Sequence, residues 1–108
     1  MPQYLGQFSY TNDAVKVLMS NPQDRSEIAR QVLESVGGKL LGYWFCFGEF
    51  DGVFIAEAPD NASIAAAAMA VAGAGAIAKL ETTVLIEMDE AQEAMRRAAA
   101  AAYTAPTG

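Results

Sequence analysis

The chain has 108 residues and a formal net charge of −6, with seven basic residues against thirteen acidic ones. That length accommodates one hydrophobic core. The scattered Lys and Arg side chains give neither a nucleic-acid backbone nor an anionic membrane surface a footprint.

The first expected element is a strand over Gln3 to Tyr10. Tyr4, Phe8 and Tyr10 alternate with Leu5, Gln7 and Ser9, so the two sets point to opposite faces. Thr11 or Asn12 caps a helix that runs through Met19, with Val15, Leu18 and Met19 as its apolar stripe. Asn21-Pro22 interrupts it. Asp24 followed by Glu27 has the spacing of a capping box, in which each residue satisfies backbone amides of the other's turn. The second helical piece carries Ile28, Val32 and Val36 at four-residue spacing, with Leu33 beside them, and Gly37-Gly38 stops it.

Two apolar runs follow, KLLGYWFCF and VFIAEAP, separated by Gly48-Glu49-Phe50-Asp51-Gly52. They predict adjacent antiparallel strands with a tight connection. Simple alternation sets Leu41, Tyr43, Phe45 and Phe47 against Leu40, Trp44 and Cys46 on the first strand. On the second it sets Val53 and Ile55 against Phe54 and Ala56.

Asp60 or Asn61 then caps an Ala-rich helix that Gly73 and Gly75 close. Ala62 to Ala78 carries no charge, but alanine and glycine give little transfer free energy to hydrocarbon. A buried helix is therefore expected there, not a membrane span. Ala76 to Glu87 is expected as a fourth strand, rich in β-branched and apolar residues. A last helix opens at Asp89 and Gln92, and its acids, Glu87 to Glu93, form a solvated face near its N-terminus. The expected division is one domain over residues 1–103 and a flexible tail over 104–108.

The order β-α-β-β-α-β plus a C-terminal helix is the split βαβ, ferredoxin-like arrangement of the α+β class. It places a four-stranded antiparallel sheet under helices on one face. Whichever face the helices take, large apolar side chains remain on the other. Burial stabilises by about 25 cal/mol per Å² of apolar surface, so an exposed patch of this kind marks an interface. A homodimer, or a higher oligomer, formed through the open sheet face is the expected partner.

Gly37-Gly38-Lys39, the run Gly48-Glu49-Phe50-Asp51, and Glu57-Ala58-Pro59-Asp60 leading into the Ala-rich helix together resemble the GYD-domain family. The similarity runs from about Pro2 to about Ala94. Phe50 stands where the family's Gly-x-Tyr-Asp signature has tyrosine, so a phenol hydroxyl available there in the family is absent here. The resemblance implies a ferredoxin-like domain of the dimeric α/β-barrel type, and it brings no catalytic residues with it.

Asp51, at a hairpin beside aromatics, is a candidate ligand acceptor or general base; Asp in turns also bonds its own turn backbone. Glu57, inside an apolar strand, is a candidate functional charge or the partner of Lys39 or Lys79 across strands. Tyr4, Tyr10, Tyr43 and Trp44 are candidates to line a small cavity between paired sheets, with Phe50 nearby, and to present polar tips to an apolar or aromatic ligand. Cys46 is the chain's one cysteine and there is no histidine, so Cys-His and Ser-His nucleophiles and His-based metal or haem sites are not available. Cys46 reads as a small buried hydrophobe. No cofactor is expected.

The start MPQYLGQFSY lacks both a basic and an apolar leader segment, which with the cysteine usage points to the cytoplasm. The expected function is a homo-oligomeric module that binds a small molecule or assembles, without catalysis of its own. The alternative is a cofactor-free dimeric-barrel enzyme, isomerase- or monooxygenase-like, using a carboxylate and a tyrosine.

Overall fold

The computed structural model describes residues 1–108. Eight elements follow one another: β1 (Gln3–Tyr10), α1 (Asn12–Ser20), α2 (Ser26–Ser35), β2 (Lys39–Phe45), β3 (Gly52–Glu57), α3 (Asn61–Gly73), β4 (Ile77–Leu85) and α4 (Met88–Ala100). The strands form one antiparallel sheet in the order β2-β3-β1-β4. This is the α+β, ferredoxin-like arrangement expected from the element order.

The alternation of β1 fixes which face the helices cover. Tyr4 and Phe8 are buried, and Tyr4 joins Leu33 of α2, Ile64 and Ala67 of α3, and Ala56 and Ala58 in one cluster. Leu5, Gln7 and Ser9 look the other way and stay half-buried. The helix starts follow local chemistry. Thr11 Oγ1 accepts from the Ala14 amide at 3.1 Å, and Asp60 Oδ1 accepts from the Ser63 amide at 2.9 Å. Each satisfies an amide that the first helical turn leaves free.

At α2 the structure differs from the expected capping box. Asp24 Oδ1 accepts from the Ser26 amide at 2.8 Å, while Glu27 pairs with Arg30 one turn on. Asp24 thus closes a local turn before the helix, and the reciprocal bond from Glu27 is not made.

The larger difference lies in β2. Its register against β3 shifts between Leu40, opposite Ala56, and Gly42, opposite Ile55. The extra residue is a bulge, and a bulge changes which side chains share a face. Leu40 packs against the core cluster, and Tyr43, opposite Phe54, joins it on the helix side. Trp44, opposite Val53, stays on the open side with its ring over Gly42, where a Cβ would meet it at 2.3 Å.

The connection from β2 to β3, Cys46–Asp51, is longer than a two-residue turn and is tied down along its length. The Cys46 amide donates to Asp51 O, the Asp51 amide donates to Phe8 O, and Ser9 Oγ donates to Glu49 O. No helix is long and apolar enough to cross a membrane. The open face of the sheet carries Leu5, Val53, Ile55 and Trp44, and no element of the chain lies over it; Trp44 is 52% exposed.

Candidate functional site

An apolar cavity of about 440 Å³ lies between the sheet and the three helices α1, α2 and α3. Its floor is aromatic: Phe8, Tyr10, Tyr43 and Phe54. Leu18 of α1 and Ile28 and Val32 of α2 form the walls, and Ala67, Ala68 and Val71 of α3 form the roof. The composition of α3 explains the space. A helix face built mostly from alanine, with Ile64 and Val71 as its larger residues, sends little side chain down to the sheet, so part of the gap between the two layers stays open. The core cluster is correspondingly small: Tyr4, Leu33 and Ile64 with Ala56, Ala58 and Ala67.

The cavity is nearly without polar groups, and those it has include Gln23 and Arg25 on the link between α1 and α2. Arg25 Nη1 donates to Gln23 Oε1 at 3.1 Å and has no carboxylate partner. Beyond these residues a second, more polar cleft of about 570 Å³ shares Phe8, Tyr10, Tyr43, Gln23 and Arg25 with the cavity, and adds Asp24, Asp51 and Trp44. An apolar chamber behind a mouth with a few fixed polar groups is the usual form of a small-molecule site.

The rings of the aromatic floor pack against one another. Phe8 meets Tyr10 edge-on at 5.4 Å between ring centres, and Tyr43 and Phe54 lie 5.9 and 6.3 Å from Phe8. Burial, and then the neighbouring Tyr10 hydroxyl, hold the Tyr43 phenol well above its ordinary pKa. The shift favours the neutral phenol, which both donates and accepts a hydrogen bond.

The seven residues singled out from the sequence are not all brought together. Tyr10, Tyr43, Trp44 and Asp51 meet at the outer cleft. Tyr4 lies in the core, its hydroxyl donating to Asn61 Oδ1 at 2.8 Å at the start of α3. Phe50 is 9% exposed in the loop, with the Lys79 ammonium 4.9 Å from its ring centre. Glu57 sits on the open face of β3, in register with Lys39 and Gln3, and makes no ion pair. Lys79 instead takes Glu49 at 3.2 Å and Glu81 at 3.5 Å. Glu49 chiefly, with Glu81 behind it, raises the Lys79 pKa.

Asp51 has a partner that the turn alone does not suggest. Its Oδ2 accepts from the Tyr10 amide at 2.9 Å, where β1 and β4 slip register between Ser9 and Tyr10. That bond pins the loop to the end of the central strand. The cavity walls on α1 and α2 are the residues the sequence reading missed. The four-residue spacing of Ile28 and Val32 reads as core, yet Ile28 remains exposed to the cavity. The signal that identifies the chamber is the pairing of an alanine helix with an aromatic strand.

Residues 4–95 match the family model of the GYD domain. The chain belongs to the GYD domain family. This GYD domain is similar to the glutamine synthetase and cystathionine beta-lyase binding protein of Thermus thermophilus, with 26% identity over 77 residues. That match takes 71% of this chain and 81% of the relative. Among solved structures, the crystal structure of MtbAldR resembles it with a TM-score of 0.53 at 18% identity, covering 80% of this chain. The GYD domain spans 52% of the MtbAldR chain, and the likeness is one of fold.

Proposed function

We propose that this GYD domain is a homo-oligomeric binding module that holds a small, mostly apolar or aromatic ligand and carries out no catalysis of its own. The observation that carries the reading is the 440 Å³ cavity between the alanine face of α3 and the aromatic strands, with Gln23 and Arg25 as its polar fixtures. Tyr10 and Tyr43 give a bound ring both an apolar wall and a hydroxyl to bond. The Thermus relative is named for binding two enzymes, glutamine synthetase and cystathionine beta-lyase, which supports a binding role in general and does not bear on the ligand. The enzyme alternative would ask Asp51 or Glu57 to take a proton beside a tyrosine; Asp51 Oδ2 accepts from the Tyr10 amide, and Glu57 lies on the other face of the sheet from Tyr10 and Tyr43.

The oligomer forms through the open sheet face. Leu5, Val53, Ile55 and Trp44 offer an apolar surface that a second copy covers by stacking its own open face on it. Sedimentation at micromolar concentration is expected to show a dimer or a larger assembly; a monodisperse, folded monomer sinks that half of the reading.

Binding is tested by thermal shift and calorimetry with indole, toluene and phenylacetate, each against wild type and against Tyr43→Ala and Glu57→Gln. At least one compound should raise the melting temperature of wild type and of Glu57→Gln, and lose its effect with Tyr43→Ala. Silence from all three, or binding that ignores Tyr43, overturns the cavity as the site.

A further inference from the structure

The C-terminal helix α4 is the one element that the chain's own fold leaves without support. Its sequence is amphipathic: Met88, Ala91, Met95 and Ala98 recur at spacings of three and four, which places them on one face. Asp89, Glu90, Glu93, Arg96 and Arg97 occupy the other face, where Glu93 pairs with Arg96 at 3.0 Å and Arg97 at 3.2 Å. Such a pattern belongs on a helix that buries its apolar stripe. Yet Met88 is 69% and Met95 61% exposed, and no residue of α4 is buried.

The cost of that arrangement shows in the shape of the chain. Its radius of gyration is 17.5 Å; a compact domain of this length has about 13 Å. Thirteen residues are also too few for a helix to be more than marginal without tertiary packing.

We infer that α4 lays its Met88–Ala98 face on a second copy of this chain, so that two copies exchange their C-terminal arms. The inference rests on the open-face assembly proposed above and deepens it. Continuity identifies the occupant. Leu85, opposite Gln3 at the last rung of the β1–β4 ladder, shares the open face with Leu5. Met88, exposed, opens α4 three residues beyond Leu85, so the apolar stripe of the helix begins close to the end of that face. A partner seated on the open face therefore meets the arm at the same time. A second copy brings an identical arm back across the first, and this reciprocity closes a two-fold dimer. The apolar stripe holds no charge, so its docking strips water from none.

Sedimentation equilibrium on the full-length chain tests this with three variants: Met95→Glu in the stripe, Glu90→Gln on the charged face, and Ile55→Asp on the open sheet face. Far-UV circular dichroism checks that each one folds. Met95→Glu should weaken association at least tenfold, and Glu90→Gln should leave it within twofold. The milder Met95→Gln should fall between them, which keeps the test sound if the glutamate disturbs the helix. Dimers of Met95→Glu and Met95→Gln as tight as wild type, together with dissociation by Ile55→Asp, overturn the arm exchange and leave the open-face assembly standing. A wild-type chain that is monomeric overturns both.

Discussion

A single carboxylate, Asp51, ties the loop between β2 and β3 to the central strand. Its bond to the Tyr10 amide lies just beyond Phe8 and Gly52, the last rung of the β1–β3 ladder. Removing it leaves a partly buried donor unsatisfied, which costs about 1–3 kcal/mol. Asp51→Ala should lose that much in urea denaturation, and Asp51→Asn, whose amide oxygen still accepts, should recover most of it; equal losses would mean that charge and not the bond matters. Asp60 shows a different dependence. The Ser63 hydroxyl, then the Ser63 amide, hold its carboxyl below the ordinary pKa. A lowered native value means that its contribution is complete above the ordinary carboxylate pKa and fades as the pH falls through the native one. Acid titration of stability from pH 6 to pH 2 should therefore be shallower for Asp60→Asn, which keeps a cap without a titrating group.

At the scale of elements, three glycines are fitted to aromatic rings. A Cβ on Gly6 would lie 2.0 Å from the Phe54 ring across the β1–β3 pair, and one on Gly52 would lie 2.1 Å from Phe8. Gly42 stands in the same relation to Trp44. Gly6→Ala should cost about 1–3 kcal/mol by overpacking. In a Phe54→Leu background the same change should cost far less, and a cycle of the two measures the coupling; purely additive losses would remove the ring as the reason. These fits show what the sequence reveals and what it conceals. The alternation of Gln3 to Tyr10 displays β1 and its buried side, and Thr11, Asp60 and Gly37 mark helix ends through local chemistry alone. The bulge at Leu41 is not visible in that way, because its cause is the match of β2 to β3, including a tryptophan that lies across Gly42. One residue of slip then moved Leu40 to the side of Tyr43. The candidate site was legible in part: Tyr10, Tyr43 and Asp51 share a cleft with Trp44 at its edge, while Tyr4 lies further along the helix-covered face in the core and Glu57 lies on the open face.

For the whole molecule, the balance between core and cavity is set by α3. Ile64 and Ala67 pack beside Tyr4 at one end, where Tyr4 also bonds Asn61, and the alanines beyond leave space above Tyr43 and Phe54. Losing only the hydroxyl, as in Tyr4→Phe, should cost about 1 kcal/mol and leave ligand binding intact, since that bond lies outside the chamber. Ala68 lies on the roof itself. A leucine there enters empty apolar space, and filling such a space typically stabilises by about 0.5–2 kcal/mol. For a domain of this size that raises the melting temperature by several degrees, about 4–8 °C per kcal/mol. The ligand and the new side chain would then compete for one volume. Ala68→Leu should therefore melt higher than wild type in the absence of ligand and gain nothing from the compound that stabilises wild type. A variant that melts higher yet still responds fully would place the ligand elsewhere, in the outer cleft or between copies. One that melts lower would mean that the layers have already closed over the gap and that no cavity is there to fill.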